Sequence, residues 1–224
     1  MIELNAIFKE LSEQGAVWCA SNMDAGDLAR ATEFIVDNNI DLISVAPSAV
    51  KTIWPWLEQK RTKIMARFYL DDENVTDNHV YDITAQINTA FKSGATGAQV
   101  FLHYGALDEL VTQTHMIRDD LFFNRELSIG LDLMEIDAGD WENLFAKLQK
   151  INASSVLFVL SKDLGNKSDF VGRVYGMLES WDANNKFNLG FMFGSDLMRI
   201  EQVVRLVESV RPELGGRIKF FVNI

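Results

Sequence analysis

Apolar residues recur along this chain in two alternating rhythms. Ile2, Leu4, Ile7, Phe8 and Leu11 fall at helical spacing, and Gly15 stops that pattern. A short run that is apolar on both faces follows at Ala16–Ser21, and Asp24-Ala-Gly-Asp-Leu then opens a helix with Leu28, Ala31, Phe34 and Ile35 on one side. The alternation continues with strand-like runs at 41–46, 63–70, 98–104, 128–134, 155–160, 188–193 and 217–222. Between them lie helical patterns at 54–60, 76–93, 107–124, 140–151, 168–183 and 196–210. Pro55 is expected in the first turn of its helix, where a missing N–H is best tolerated.

Strands that are apolar on both faces and alternate with amphipathic helices are what a parallel sheet covered by helices requires. A doubly wound sheet is one solution. The even alternation favours the other, an α/β fold with a single closed (β/α)₈ TIM barrel over residues 1–224. The pattern carries an extra N-terminal helix at 1–14 and none after the eighth strand. That first helix is expected either to fill the gap in the outer ring or to cap the barrel bottom.

Composition narrows the function classes. The 224 residues are 48% hydrophobic with only 3 Pro and 14 Gly, which suits one large domain with a sizeable core. The single Cys19 leaves no internal disulfide framework and no Cys-based zinc site, and fits a reducing compartment. A net charge of −11 argues against a nucleic-acid backbone binder or a polybasic membrane anchor. Residues 1–14 lack a basic start, and no apolar run approaches the roughly 20 residues that span a bilayer, so a cytoplasmic location is expected.

In such a barrel, chemistry sits at the C-terminal ends of the strands. Strand parity aims Lys63, Met65, Arg67 and Tyr69 inward on the third strand, Gln99, Phe101 and His103 on the fourth, and Gly130 and Asp132 on the fifth. The eighth similarly offers Lys219, Phe221 and Asn223, and the first two offer Cys19 or Ser21 and Ser44. Arg67, Gln99, His103 and Asp132 are therefore expected to converge. A carboxylate, an imidazole and a guanidinium in one water-poor mouth can abstract a proton and stabilise an enolate. The bland alternative is a buried Arg67–Asp132 pair with Gln99 and His103 as polar filling. His79 and His115 fall on helices away from that face, and the five tryptophans, Trp18 and Trp54 included, read chiefly as packing residues.

Two loops add candidates. Ser161-Lys-Asp-Leu-Gly-Asn-Lys-Ser168 is polar and long enough for a lid, and Lys162 lies where an amine can form a Schiff base, or is an ordinary loop lysine. Phe193-Gly-Ser-Asp196 opens a helix, so Gly194 and Ser195 can hold an anion through backbone N–H groups, unless Ser195 or Asp196 is a plain N-cap. Asp71-Asp-Glu73 has the look of a metal cluster but sits where solvated helix caps belong, so no metal and no cofactor is expected.

From about Gly94 to Val204 the layout resembles the ribulose-phosphate-binding barrels, of which ribulose-phosphate 3-epimerase is a member. Val100-Phe-Leu-His-Tyr104 is similar to that family's fourth strand, Ser128-Ile-Gly-Leu-Asp132 to its fifth, and Lys162–Phe170 to its mobile loop. Phe193-Gly-Ser195 stands in the place of its glycine-rich phosphate loop. The resemblance implies a TIM barrel and a phosphorylated substrate. The family's metal ligands on strands two, three and seven have no counterparts in Ile43–Pro47, Arg67–Leu70 or Phe191–Ser195. Its second phosphate-binding Gly-Ser, after strand eight, has no counterpart beyond Asn223-Ile224, and the Asp-x-Lys-x-x-Asp pattern of related decarboxylases is missing.

The expected function is a metal-independent lyase or isomerase acting on a carbonyl-containing or phosphorylated small molecule. In that reading His103 or Asp132 transfers the proton, and Arg67 and Gln99 orient the substrate. Tyr69, Gly194, Ser195 and Asn223 line the binding site, and Lys162 covers it or forms a Schiff base. The alternative is a non-catalytic barrel that binds a metabolite or serves in an assembly. Phe-rich stretches such as Leu121-Phe-Phe123 suggest a homodimer or, equally, core burial.

Overall fold

The structure, a computed structural model, describes residues 2–70, 76–118, 125–160, 167–194 and 196–224. Eight strands close into one barrel in chain order: β1 (Gly15–Trp18), β2 (Leu42–Val45), β3 (Lys63–Leu70), β4 (Gly97–Leu102), β5 (Glu126–Asp132), β6 (Ser155–Val159), β7 (Asn188–Met192) and β8 (Ile218–Asn223). Every pairing is parallel, and β1 closes on β8 with Trp18 beside Asn223. The helices are α1 (Ile2–Leu11), α2 (Ala25–Asp37), α3 (Pro47–Leu57), α4 (Asp77–Lys92), α5 (Leu107–Arg118), α6 (Trp141–Ile151), α7 (Lys167–Glu179) and α8 (Leu197–Val210).

Alternate residues of each strand serve two cores. Outward side chains such as Ile43, Ile64, Ile129, Val156 and Phe191 are fully buried under the helix ring. Inside the barrel, Ala16, Phe101, Leu157 and Phe221 form a second, smaller cluster, with Trp18, Leu42, Val159 and Met192 packed on it. This matches the inward parity expected for β3, β4, β5 and β8. It overturns the expectation for β1: Trp18 faces inward, and Cys19 belongs to the outer core. A four-residue strand that is apolar on both faces gives parity too little to act on.

The helix termini follow local chemistry. Asp24 caps α2 by accepting the Asp27 N–H at 2.8 Å, while Asp27 reaches back to the Asp24 N–H, a reciprocal capping box. The third helix starts at Pro47, well before the expected 54, because a proline at the first helical position is pre-organised for it. Pro55 therefore lies near the end of that helix rather than in its first turn, on the solvent side with Lys51.

α1 supplies apolar cover at the seam where β8 meets β1. Its Ile7, Phe8 and Leu11 are buried in the same core as Val17, Phe220 and Val222. Phe8 packs edge-on against Phe34 of α2, with centroids 5.3 Å apart, and its ring leaves no room for a Cβ on Gly15 at the start of β1. The helix thus sits toward the N-terminal rim of the barrel. Ion pairs Lys63–Glu126 and Lys219–Asp41 occupy that same rim, so the inward parity of Lys219 places its amine at the bottom, away from the chemistry. Among the described residues no helix is long and apolar enough to cross a membrane.

Candidate active site

Arg67 is the largest charged side chain inside the barrel and is only 1% exposed. Ala66 pairs with Val45, the last residue of β2, so Arg67 stands one residue beyond the end of that shorter strand. Its head crosses to the C-terminal ends of β1 and β2. There it donates to the Cys19 carbonyl, to the Ser44 carbonyl at 3.3 Å, and at 3.5 Å to the hydroxyls of Ser44 and Ser21. The Trp18 ring lies 3.9 Å from the guanidinium carbon, a cation–π contact. Nε has no partner, and among the described residues no carboxylate meets this cation. Burial pushes its pKa below the usual arginine value, with Tyr69 and Cys19 acting in the opposite sense.

Gln99 lies level with Arg67 on β4 and is equally buried, and its Oε1 accepts from the Ser44 hydroxyl. Arg67, Ser44 and Gln99 therefore form one connected polar layer. Above it sits an aromatic group. Tyr69, half exposed, stacks on Phe101 at 5.2 Å, and Trp18 meets Phe101 and Phe221 edge-on at 5.6 and 6.2 Å. Gly130 is required here, because any Cβ at that position would collide with the Phe101 ring.

Of the four residues expected to converge, Arg67 and Gln99 share a level while His103 and Asp132 do not join them, and the alternative of a buried Arg67–Asp132 pair does not form either. Arg67 is level with Gln99, and Gln99 with Ser128, so Asp132 lies four residues farther along β5, about 13 Å of strand rise away. Asp132 instead accepts the Met134 N–H at 2.8 Å and so starts a 3₁₀ turn, Leu133–Glu135. That turn delivers a residue absent from the sequence-based candidates. Glu135 Oε1 is 2.8 Å from His103 Nδ1, and its Oε2 accepts the Tyr104 N–H at 2.9 Å. The only sequence signal was an acidic residue three positions after a strand-end aspartate. The pair stands on the rim at the end of β4, with the His103 side chain 47% exposed.

Across the same rim, beyond β7 and at the end of β8, Gly194 and Asn223 are neighbours. Gly194 has φ +65°, and a Cβ there would come within 3.6 Å of the Asn223 amide nitrogen. The N-terminus of α8 is already occupied: Asp196 accepts the Arg199 N–H at 3.2 Å and pairs with the Arg199 guanidinium at 3.3 Å. The plain N-cap is thus the arrangement found. Lys162, Ser195, Asp71–Glu73 and Leu121–Phe123 lie outside the described residues. Among those described, no group of three His, Cys, Asp or Glu is arranged to hold a metal ion.

No protein-family model matches this sequence, and no curated protein matches it in sequence either. Solved structures do match in shape. The tetrameric deoxyribose phosphate aldolase from Aeropyrum pernix is similar at a TM-score of 0.66 and 11% identity, covering 99% of this chain and 92% of that one. Hydroxymethylglutaryl-CoA lyase from Pseudomonas aeruginosa gives 0.61 and 11%, covering 93% and 75%. CutC from Streptococcus agalactiae, assigned to copper homeostasis, gives 0.68 and 12%, covering 93% and 98%. The chain has the TIM-barrel fold. At these identities the likeness is one of fold, in keeping with the ribulose-phosphate-binding layout at the same coarse level.

Proposed function

We propose that this barrel is a small-molecule lyase whose site is the C-terminal mouth and whose substrate is a carbonyl-containing metabolite with an anionic group. The observation that carries the reading is Arg67: a buried guanidinium at the strand ends, without a carboxylate partner among the described residues and with Nε unmet. Burying a charge costs several kcal/mol unless it is paired, so a mouth of this kind favours an incoming anion. The fold is one used by an aldolase and a lyase among its structural neighbours, which supports the reaction class.

In this reading Arg67 and Gln99 orient the substrate, and Tyr69 lies over it. His103, held by Glu135, is the proton-transfer group of the rim. It lies four residues beyond Gln99, about 13 Å of strand rise away, so the substrate must be long enough to reach from the Arg67 layer to the rim. Glu135 is the positioning residue: a carboxylate on Nδ1 fixes the tautomer and favours the imidazolium that forms when Nε2 takes a proton. Asp132 spends one carboxylate oxygen on the chain and keeps the other for the mouth. Lys162 would supply the amine for a Schiff base, and Gly194, Ser195 and Asn223 the far wall.

A second reading, a barrel that binds without catalysing, is favoured by the aromatic filling of the mouth by Trp18, Tyr69, Phe101 and Phe221. A thermal-shift screen with 2-oxo acids and sugar phosphates tests the site itself. A stabilising ligand is expected, with the shift lost in Arg67→Ala. A panel without any hit contradicts the lyase reading.

A further inference from the structure

The geometry points to a carboxylate, not a phosphate ester, as the anionic group that the mouth receives; this rests on the lyase reading above and narrows it. Two places in the barrel can be compared as anion holders, and they differ in what they still have to offer.

The helix terminus after β7 is the first. Phosphate is held there by several backbone N–H groups and the positive end of a helix. In this chain Asp196 has taken that end of α8, accepting from the Arg199 N–H and pairing with the Arg199 side chain. A carboxylate fixed at that spot repels a dianion and removes a donor the phosphate would need.

The polar layer around Arg67 is the second. Its Nη groups are engaged by the Cys19 and Ser44 carbonyls and by the Ser44 and Ser21 hydroxyls, so the orientation of the fork is fixed. One edge, Nε, is left over. Beside it in register stands Gln99, whose oxygen is held by the Ser44 hydroxyl, which turns its amide nitrogen away from Ser44. The layer thus holds a single positive charge, with the Nε–H of Arg67 and the amide N–H groups of Gln99 as its remaining donors on adjacent strands. A monoanionic carboxylate balances that one charge, while a phosphate dianion would leave one of its own charges uncompensated. Trp18 covers the guanidinium and Tyr69 stacks on Phe101, so the surroundings of the layer are apolar.

The test is isothermal titration of the full chain with pyruvate, 2-oxobutyrate and 2-oxoglutarate, against glyceraldehyde 3-phosphate and inorganic phosphate. Saturable binding of at least one 2-oxo acid is expected, with neither phosphate compound binding more tightly. Arg67→Met should weaken that binding by about tenfold or more, and Gln99→Leu by a smaller factor, with circular dichroism confirming that each variant is folded. Should Arg67→Met fail to fold, Gln99→Leu and the comparison of ligands on the unaltered chain still decide. Preferential binding of the phosphate ester, or 2-oxo acid binding indifferent to the substitutions, overturns the carboxylate assignment and leaves the lyase reading standing. Absence of binding by every compound overturns both.

Discussion

Cys19 sits one residue past β1 with its carbonyl on Arg67, yet its thiol faces away from the barrel interior. Burial pushes that thiol up to about 12, the Arg67 charge offsetting only part of the effect. The thiol is therefore neutral in the folded chain across ordinary pH, whereas in the unfolded chain it ionises near the ordinary thiol value of 9.0. A raised folded-state pKa contributes stability that is complete below the unfolded value and is lost as pH rises through the folded one. The stability difference between the native chain and Cys19→Ala, measured by urea unfolding, should shrink as pH is raised from about 9 toward 12. A difference that grows over that window contradicts the placement. The same residue shows why parity misled on β1. Ala16, Val17, Trp18 and Cys19 are all apolar enough for either face, and only the ring contacts of Trp18 with Phe101 and Phe221 settle which residues point inward. Arg67 was legible as inward because β3 has eight residues, with Ile64, Ala66, Phe68 and Leu70 all apolar on one parity and Lys63, Arg67 and Tyr69 on the other. Its partners were not, because register between strands is set by the barrel's stagger and is not written in any one strand.

Among the elements, α1 is the departure from a plain eightfold repeat. It covers the seam between β8 and β1 through three buried side chains, each contributing roughly 1.5–3 kcal/mol by burial. Phe8→Ala removes the ring that packs on Phe34 and covers Gly15, and should destabilise the fold by about 3–5 kcal/mol in urea unfolding. A loss below about 1 kcal/mol would mean that α1 is merely appended. The strands were the most legible elements, since runs apolar on both faces have few other uses. Element starts were less so. α3 opens at Pro47 because proline suits the first helical position, a signal that the apolar spacing around Trp54 masked. The 3₁₀ turn Leu133–Glu135 left no periodic trace, being a single turn. With it went Glu135, the residue that holds His103.

Across the whole molecule the barrel divides its polar groups by end. Lys63–Glu126 and Lys219–Asp41 pair off at the N-terminal rim, where charges meet opposite charges. At the other end no carboxylate among the described residues meets Arg67, and His103 with Glu135 stands partly exposed. That asymmetry is the physical content of the proposed lyase site: one end is satisfied, and the other is held in readiness for a ligand. Strand parity was enough to aim Arg67, Tyr69, Gln99 and Phe101 into the barrel. It could not show that the candidates separate into a buried layer around Arg67 and a rim around His103. The most direct test of the central claim follows the C3 protons of 2-oxoglutarate, whose second carboxylate gives it the greater reach, in D₂O by proton NMR. A mouth that abstracts a proton next to a carbonyl should exchange them for deuterons faster than buffer alone, and His103→Asn and Arg67→Met should each return the rate toward background. Exchange no faster than buffer, or exchange unchanged in both variants, would contradict the account.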